Sequence, residues 1–582
     1  MSSKIQTLPP EVVNVIAAGE VIDSLAAVVR ELVENALDAG ATRIVISLWT
    51  ELWRIQVADN GKGMSCQDLR ICAKAHSTSK IRSSKDLWKI TSLGFRGEAL
   101  HSISQVADLE ILSRSSSAAD TVGWRVVYRE GKAIEEVAVA IAPGTIVNVS
   151  NLFGHLPVRR KSLPAMSQQL KAVQAMIQQI ALTHPQVTWQ IEQNERLWFS
   201  ISPSQQPGNI LTQILKQVKT GDLQWLKLEI PSPPEEALTE IIRSRSQIEL
   251  AIGLPDRCHR RRPDWIKVAV NGRIVRLPEL EQTILSGFAR TLPRDRYPVC
   301  FLHLKICPSQ IDWNRHPAKT EIYLHSTSFW QEQISSAIEQ ALRLSSSHLP
   351  TFDNRRLGAL IKVAEETGKY DLNRPLTESL STQKEERSTS DRRVKFKNTD
   401  LSLIELRAVA QVSNTYIVAE HPSGIWLIEQ HIAHERILFE QLQDLWQLVP
   451  LETPIVLNNL TSVQMEQLSR IGIEVEPFGE QIWAVRVAPE MLSDRDDCTD
   501  ALLELSWGGD LQQAQVATAC RSAIRNGTPL SLPEMQNLLD RWKTTRNPRT
   551  CPHGRPIYLP LEESSLARFF RRHWVIGKSH GI

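Results

Sequence analysis

The stretch ELVENALDAG, residues 31 to 40, carries Glu31, Glu34, Asn35 and Asp38 at i, i+3, i+4 and i+7, so an α-helix would put all four on one face. Val29, Leu32, Val33, Ala36 and Leu37 cover the other side. A carboxylate and an amide one turn apart can act on one small polar target, the carboxylate as proton acceptor and the amide oxygen as ligand to a hard cation. Taken alone, the segment reads more readily as a solvated helix face. Further on, VADNGKGM sets Asp59 at a strand end, followed by Gly61 and Gly63. A buried carboxylate there can accept from an exocyclic amine such as adenine's, and the glycines let backbone approach the ring. In isolation Asp-Asn-Gly is only a turn. HSTSK supplies hydroxyl donors from Ser77, Thr78 and Ser79 and the ammonium of Lys80. LGFRGEAL places Gly94, Phe95, Arg96 and Gly97 before a helical segment, whose first N–H groups and dipole attract an anion. PGTIVNV puts Thr145 at the start of a strand. A phosphate loop of the G-x-x-x-x-G-K-[ST] kind is missing: before Gly577-Lys578-Ser579, Arg572 stands where the first glycine belongs.

A second set of chemically able residues lies late in the chain. In EQHIAHERILFE, His431 and Glu435 are spaced to share one helix face, a usual separation for two metal ligands. CPHGRP adds Cys551 and His553, which an extended segment points to the same side. ATACRSAIR adds Cys520. Two imidazoles, two thiols and a carboxylate suit Zn²⁺, and the Glu and His members also accept Mn²⁺. Basic clusters fall elsewhere: Arg257, Arg260, Arg261 and Arg262; Arg159, Arg160 and Lys161; Arg273 and Arg276. Each reads equally as a solvated loop or as a set of phosphate contacts.

The elements that must position these residues follow from patterning. Strand-like runs (RIVISLW, RIQVADN, DLEILSR, GTIVNVSNLF) alternate with helical ones, which predicts an α+β fold with helices packed on a sheet. A boundary near Pro207–Gly208 precedes a second mixed unit with strands in WIKVAVNGRIVR and CFLHLKICPSQIDWN and a helix from about Ser328 to Leu344. Ser381 to Arg393 holds no apolar residue and predicts a flexible tether. After it, TYIVAEHPSGIWLIEQH predicts a hairpin that turns at Pro422-Ser423-Gly424 and runs into a helix. The expected division is 1–207, 208–346, a linker over 347–400, and 401–582. Net charge is +2, so nucleic-acid contact would have to come from local patches rather than from the chain as a whole. Eight cysteines without a C-x-x-C pair suit a reducing compartment. No signal or transit sequence is evident, and no apolar run reaches about 18 residues, so no membrane span is expected and the cytoplasm is the default.

In this order, IAAGEVI, ELVENALDAG, DNGKGM, HSTSK, LGFRGEAL and RHPAK resemble the MutL family of DNA mismatch repair proteins, within the GHKL ATPase superfamily. The resemblance spans almost the whole chain. It implies a GHKL (Bergerat) α/β sandwich that binds ATP and Mg²⁺, then a ribosomal-protein-like α/β domain, a flexible linker, and a C-terminal α+β domain for dimerisation and metal binding. By resemblance Glu31 is the general base, Asn35 a Mg²⁺ ligand, Asp59 the adenine partner, residues 76–80 and 94–97 the lid, and Lys319 a contact to the γ-phosphate. EQHIAHERILFE with ACR and CPHGRP resembles the latent endonuclease of nuclease-type MutL proteins, with His431, Glu435, Glu440, Cys520, Cys551 and His553 matching. Glu429 stands where that family has Asp, and Ile432 where it has Ala. FGHLPVRRK also departs from the usual F-x-N-T-P-A-R-R-K. The implied partners are double-stranded DNA near the nucleoid, held without sequence preference through Arg159, Arg160, Arg260, Arg261, Arg262 and Arg273; the mismatch-recognition protein MutS; and a second copy of the chain. QLQDLW, Gln441 to Trp446, faintly resembles a sliding-clamp docking peptide, although its spacing favours core packing. Leu566, Phe569, Phe570 and Trp574 form an apolar stripe, either core or dimer face. The expected role is an ATP-switched repair dimer that nicks DNA. The alternative is a matchmaker clamp without nuclease activity. A gyrase-like or kinase-like reading lacks its partner features.

Overall fold

The computed structural model describes residues 9–83, 86, 90–117, 121–231, 246–312, 322–344, 404–563 and 566. Lys319, the linker expected over 347–400, and Phe569, Phe570 and Trp574 lie outside the described residues. The chain divides into two compact units, one chiefly over Met1–Leu342 and the other chiefly over Arg343–Cys551 and from Pro556 onward.

The first unit contains an eight-stranded sheet. Edge to edge it runs Lys132–Val139, Gly123–Arg129, Asp108–Arg114, Gly144–Ser150, Arg54–Asp59, Arg43–Trp49, Thr188–Gln193 and Arg196–Ile201. Neighbours are antiparallel except Arg43–Trp49 with Thr188–Gln193. The inward positions of these strands (Ile44, Ile46, Leu48, Ile55, Val57) alternate as a half-buried sheet requires, and helices Leu25–Asp38 and Met166–Thr183 bury their apolar faces in the same core. Ser24 caps the first of these helices by accepting from Ala27 N–H at 3.2 Å. The pairing register matters for the site. Asp59 lies opposite Thr145, so the ends of two central strands meet.

Helix Pro207–Ile214 buries Ile210 and Leu211 in this first core, so Pro207 begins a helix of the first core instead of opening the second. The next sheet, Leu223–Ile230, Ser246–Gly253, Cys300–Lys305, Ile266–Val270 and Arg273–Val275, has two buried faces. Ile248, Leu250, Val268 and Leu302 meet helices Pro278–Gly287 and Thr327–Leu342, with Trp330 and Ile338 at the centre. On the other face Ala251, Ala269 and Phe301 join the first core. Burial on both sides explains the nearly continuous apolar character of these strands.

The second unit begins with the expected hairpin, Tyr416–His421 with Gly424–Glu429, flanked by Arg407–Val412 and Tyr558–Glu562 in one antiparallel sheet. Helices Gln430–Asp444 and Leu532–Lys543 share its core. Trp426 stacks on Tyr558 with centroids 4.5 Å apart and planes at 5°. A three-stranded sheet, Leu448–Asn458, Ile482–Pro489 and Val475–Gly479, builds a separate core with helices Ser462–Arg470 and Cys498–Ser506. In the faint clamp motif, Leu442 is buried and Trp446 donates to Ile471 O at 2.9 Å, while Leu445 is exposed. Trp542 is fully buried, and its Nε1–H donates to Pro548 O at 2.9 Å. Trp542→Ala removes both the packing and that bond, and is expected to cost about 3–5 kcal/mol. Chemical denaturation should show the loss in the second unit's transition alone, with the first unit's midpoint unmoved.

Candidate functional site

Helix Leu25–Asp38 presents its polar face as expected at Glu31, Asn35 and Asp38, and its C-terminal turn is where the separate motifs meet. Asp38 accepts from the backbone N–H of Leu93 at 2.8 Å through Oδ1 and of Gly94 at 2.9 Å through Oδ2. Lys80 Nζ sits 2.5 Å from Asp38 Oδ2 and donates to Asn35 Oδ1 at 3.2 Å. One carboxylate thus joins the helix, the HSTSK segment and the glycine segment. The two latter segments also meet directly: a Cβ on Gly97, whose φ is +67°, would lie 2.7 Å from Ser77 O, so only glycine permits the approach. His76 Nδ1 and Glu98 Oε1 are 3.2 Å apart on the outer side of the same contact. Glu31, partly buried, lies 3.7 Å from Arg30 Nε. Asp38 is a site residue that helix periodicity places on the right face without giving it a role.

Beside this corner stands Asp59. Its Oδ1 accepts from Gly61 N–H at 2.8 Å. Burial pushes its carboxyl up from 3.8 to about 6, against the lowering effect of backbone donors from Gly61 and Thr145. Ser113, which carries no signal in the sequence, organises the floor: its hydroxyl donates to Gly144 O at 2.9 Å, lies 2.9 Å from Thr145 Oγ1, and accepts from Met64 N–H at 2.9 Å. Gly63 follows the chain round this floor, with Arg114 O where a Cβ would stand. The arrangement offers a carboxylate acceptor and close backbone at one side, and N–H groups, an ammonium and an amide oxygen at the other.

Three expectations need correction. Phe95 is expected at the ligand, yet its ring is buried with Ile90 in the core of the second sheet. There it anchors the glycine segment. Arg273 is expected at DNA, yet it is 8% exposed and forms a bidentate pair, 3.0 and 3.0 Å, with Glu34, itself 5% exposed. A guanidinium closed in this way has no fork left for a phosphate. Arg159 does not face solvent freely either. It donates to Gly19 O at 2.5 Å and Ile22 O at 3.1 Å, closing the C-terminal end of helix Pro10–Val21, and lies over the Phe153 ring. Arg160 stacks on Trp53, 4.6 Å from guanidinium carbon to ring centre. Arg260 pairs with Asp264 at 3.1 Å, and Arg261 and Arg262 are exposed.

Late in the chain the expected ligands form two groups. Donor atoms of Glu435, Cys551 and His553 all lie within 4.8 Å of one another, with Glu435 and Cys551 fully buried and His553 exposed. His431 Nε2 is 3.9 Å from Cys520 Sγ, and His431 is one helical turn before Glu435. Its Nδ1 contacts Ile524 O at 2.9 Å; since a carbonyl can only accept, Nδ1 carries the proton and Nε2 is the ring atom turned to Cys520. His434, not singled out by the sequence, accepts from Ile524 N–H at 3.0 Å, and burial holds its pKa down at about 4. Two histidines therefore hold both polar groups of one residue just beyond Cys520. Glu440 accepts from the N–H groups of Arg546 at 2.7 Å and Asn547 at 3.0 Å, which fixes the loop leading to Cys551. Glu429 caps its helix, its carboxylate accepting from Ile432 N–H at 2.5 Å. A buried carboxylate, a buried thiol and an imidazole this close fit a borderline metal ion better than they fit an apolar core.

The chain is similar to known proteins over its whole length. Residues 23–151 match the histidine kinase-, DNA gyrase B- and HSP90-like ATPase family, residues 235–343 the C-terminal domain family of DNA mismatch repair proteins, and residues 409–530 the MutL C-terminal dimerisation domain. The DNA mismatch repair protein MutL of Nostoc sp. is 62% identical over 586 residues, covering 100% of both chains, and that of Rippkaea orientalis is 63% identical over 587 residues with the same coverage. The more distant MutL of Methanoculleus marisnigri is 32% identical over 98% of this chain and 100% of its own. From the ATPase motifs gathered at Asp38 to the dimerisation domain near its other end, the chain belongs to the MutL family of DNA mismatch repair proteins.

Proposed function

We propose that this MutL protein binds and hydrolyses ATP at the corner formed by Asp38 and Asp59, and that this switch governs DNA nicking at a metal centre late in the chain. The observation that carries the ATP site is the convergence of Lys80, Leu93 and Gly94 on Asp38, with the Lys80 ammonium also reaching Asn35 Oδ1. Asp59 accepts from the adenine amine. Backbone N–H groups of 95–97 and the hydroxyls of 77–79 face the phosphates, while the Gly94 N–H stays on Asp38, and Lys319 reaches the terminal phosphate by family resemblance. Asn35 Oδ1 already faces the ammonium of Lys80, so it is oriented toward positive charge as a Mg²⁺ ligand would be. A divalent cation, when bound, neutralises phosphate charge. Glu31 takes the proton of the attacking water, and Asn35, one turn on, keeps the target aligned with it.

His431, Glu435, Cys520, Cys551 and His553 would hold Zn²⁺ or Mn²⁺, which supplies Lewis acidity to a phosphodiester. The capping role of Glu429 favours the competing reading, a matchmaker without nuclease activity, because that carboxylate is engaged at its own helix terminus. The dimerisation domain supports a homodimer. Exposed Arg261 and Arg262, with Arg260, are the better-placed contacts for DNA phosphates, and MutS is the expected upstream partner, in the cytoplasm at the nucleoid.

Glu31→Ala should bind ATP with affinity near that of the parent and lose about 10²–10⁴-fold in turnover. Hydrolysis at the parental rate would remove Glu31 from its role. Because an ionised Asp59 accepts from the amine more strongly than its neutral acid does, ATP affinity should be highest near neutral pH and weaken as pH falls through about 6. A titration of nucleotide binding against pH checks this, and Asp59→Asn should abolish the slope. With supercoiled plasmid and Mn²⁺, the parent protein should yield open circles and Glu435→Ala none, while ATP turnover stays unchanged. Intact plasmid with the parent protein would favour the matchmaker.

A further inference from the structure

The chain between strands Ile266–Val270 and Arg273–Val275 is a two-residue turn, Asn271 at φ +45° and Gly272 at φ +84°, the conformation that Asn-Gly hairpins adopt. The turn is braced from behind. Asn271 donates to Ile306 O at 2.9 Å and accepts from Ile306 N–H at 2.9 Å, and Gly272 N–H donates to His303 Nε2 at 3.0 Å. Arg273 leaves this braced turn and reaches the ATPase helix, where it meets both oxygens of Glu34 and also donates to the carbonyl of Leu93. Glu34 adjoins Asn35 and lies three residues after Glu31. Leu93 is the residue whose N–H Asp38 holds. One guanidinium therefore ties together the helix that carries the general base and the segment that faces the phosphates, and it does so from the second sheet.

We propose that Arg273 is a positioning residue for ATP hydrolysis: its fork fixes the helix against the glycine segment, so that the seating of the second sheet sets the rate of turnover. The proposal rests on the ATPase reading above. A planar guanidinium is required, because carboxylate and carbonyl are served together through separate N–H groups. Lysine keeps the charge but not the fork. A tie that served folding alone would lower stability and leave turnover per folded molecule untouched.

The test compares Arg273→Lys with the parent in the full chain, by steady-state ATP hydrolysis, equilibrium ATP binding, thermal unfolding and amide hydrogen exchange. The expected result is a kcat lower by about ten- to a hundredfold, the order seen for small misplacements, with KM and ATP affinity within about threefold and faster exchange at Leu93 and Gly94. A kcat within about twofold of the parent, or a loss that tracks only the unfolded fraction, would overturn the proposal. If Arg273→Lys does not fold, Glu34→Gln, which keeps shape and one acceptor oxygen, takes its place with the same four measurements: a lowered kcat at unchanged affinity supports the clamp, and an unchanged kcat overturns it. Glu31→Ala run in parallel keeps the two claims apart: retained hydrolysis there defeats the base assignment, whereas unchanged kinetics in the Arg273 or Glu34 variant defeats only the clamp.

Discussion

Asp38 holds two backbone N–H groups and an ammonium at once, and the geometry of the nucleotide corner follows from that. Hydrogen bonds to a charged group contribute about 1.5–3 kcal/mol each where solvent is largely excluded, and less at the partly exposed rim. The residue closes its own helix, so the donors that it gathers are delivered to the end of the face carrying Glu31 and Asn35. Without this carboxylate, Lys80 would keep only its bond to Asn35, the amides of Leu93 and Gly94 would lose this shared acceptor, and the separate motifs would have no common reference point.

The second sheet completes the corner. Phe95 and Ile90 sink into its core while Arg273 comes back the other way to Glu34. Truncating one partner of so buried a pair costs about 3–5 kcal/mol, because the remaining charge is stranded. An apolar pair of the same volume in this place would be about as stable, so what the ion pair adds is a fixed orientation of the two elements it joins. The first two domains therefore behave as one unit in which apolar packing supplies cohesion and a few charged forks supply alignment.

Much of this site is legible in the chain, and what escapes does so for physical reasons. Asn35, Asp59 and the glycines are legible because helix period, strand ends and glycine spacing are local signals, and motif order joins them. The general sandwich of helices on a sheet is legible for the same reason. Arg273 is not: VNGRIVR has the composition of an exposed turn, and its partner lies far away in sequence on a helix face that is wholly polar. Arg159 likewise reads as one of a basic run, whereas it closes a helix end near the start of the chain. Arginine carries the same charge in a loop and in a clamp, and only tertiary contact distinguishes them. Ser113 and His434 escape because a single hydroxyl or imidazole leaves no periodic trace.

The strand Tyr558–Glu562 pairs with a hairpin made long before it, and Trp426 receives the Tyr558 ring as its stacking partner. Cys551 and His553 come just ahead of that strand. On the ribosome, the hairpin and the helix bearing His431 and Glu435 therefore emerge and wait, with an unfilled sheet edge, until the closing strand arrives. Cys551 and His553 thus join Glu435 by the same late event that shields the edge, so that a chain interrupted before this point could not gather these three side chains.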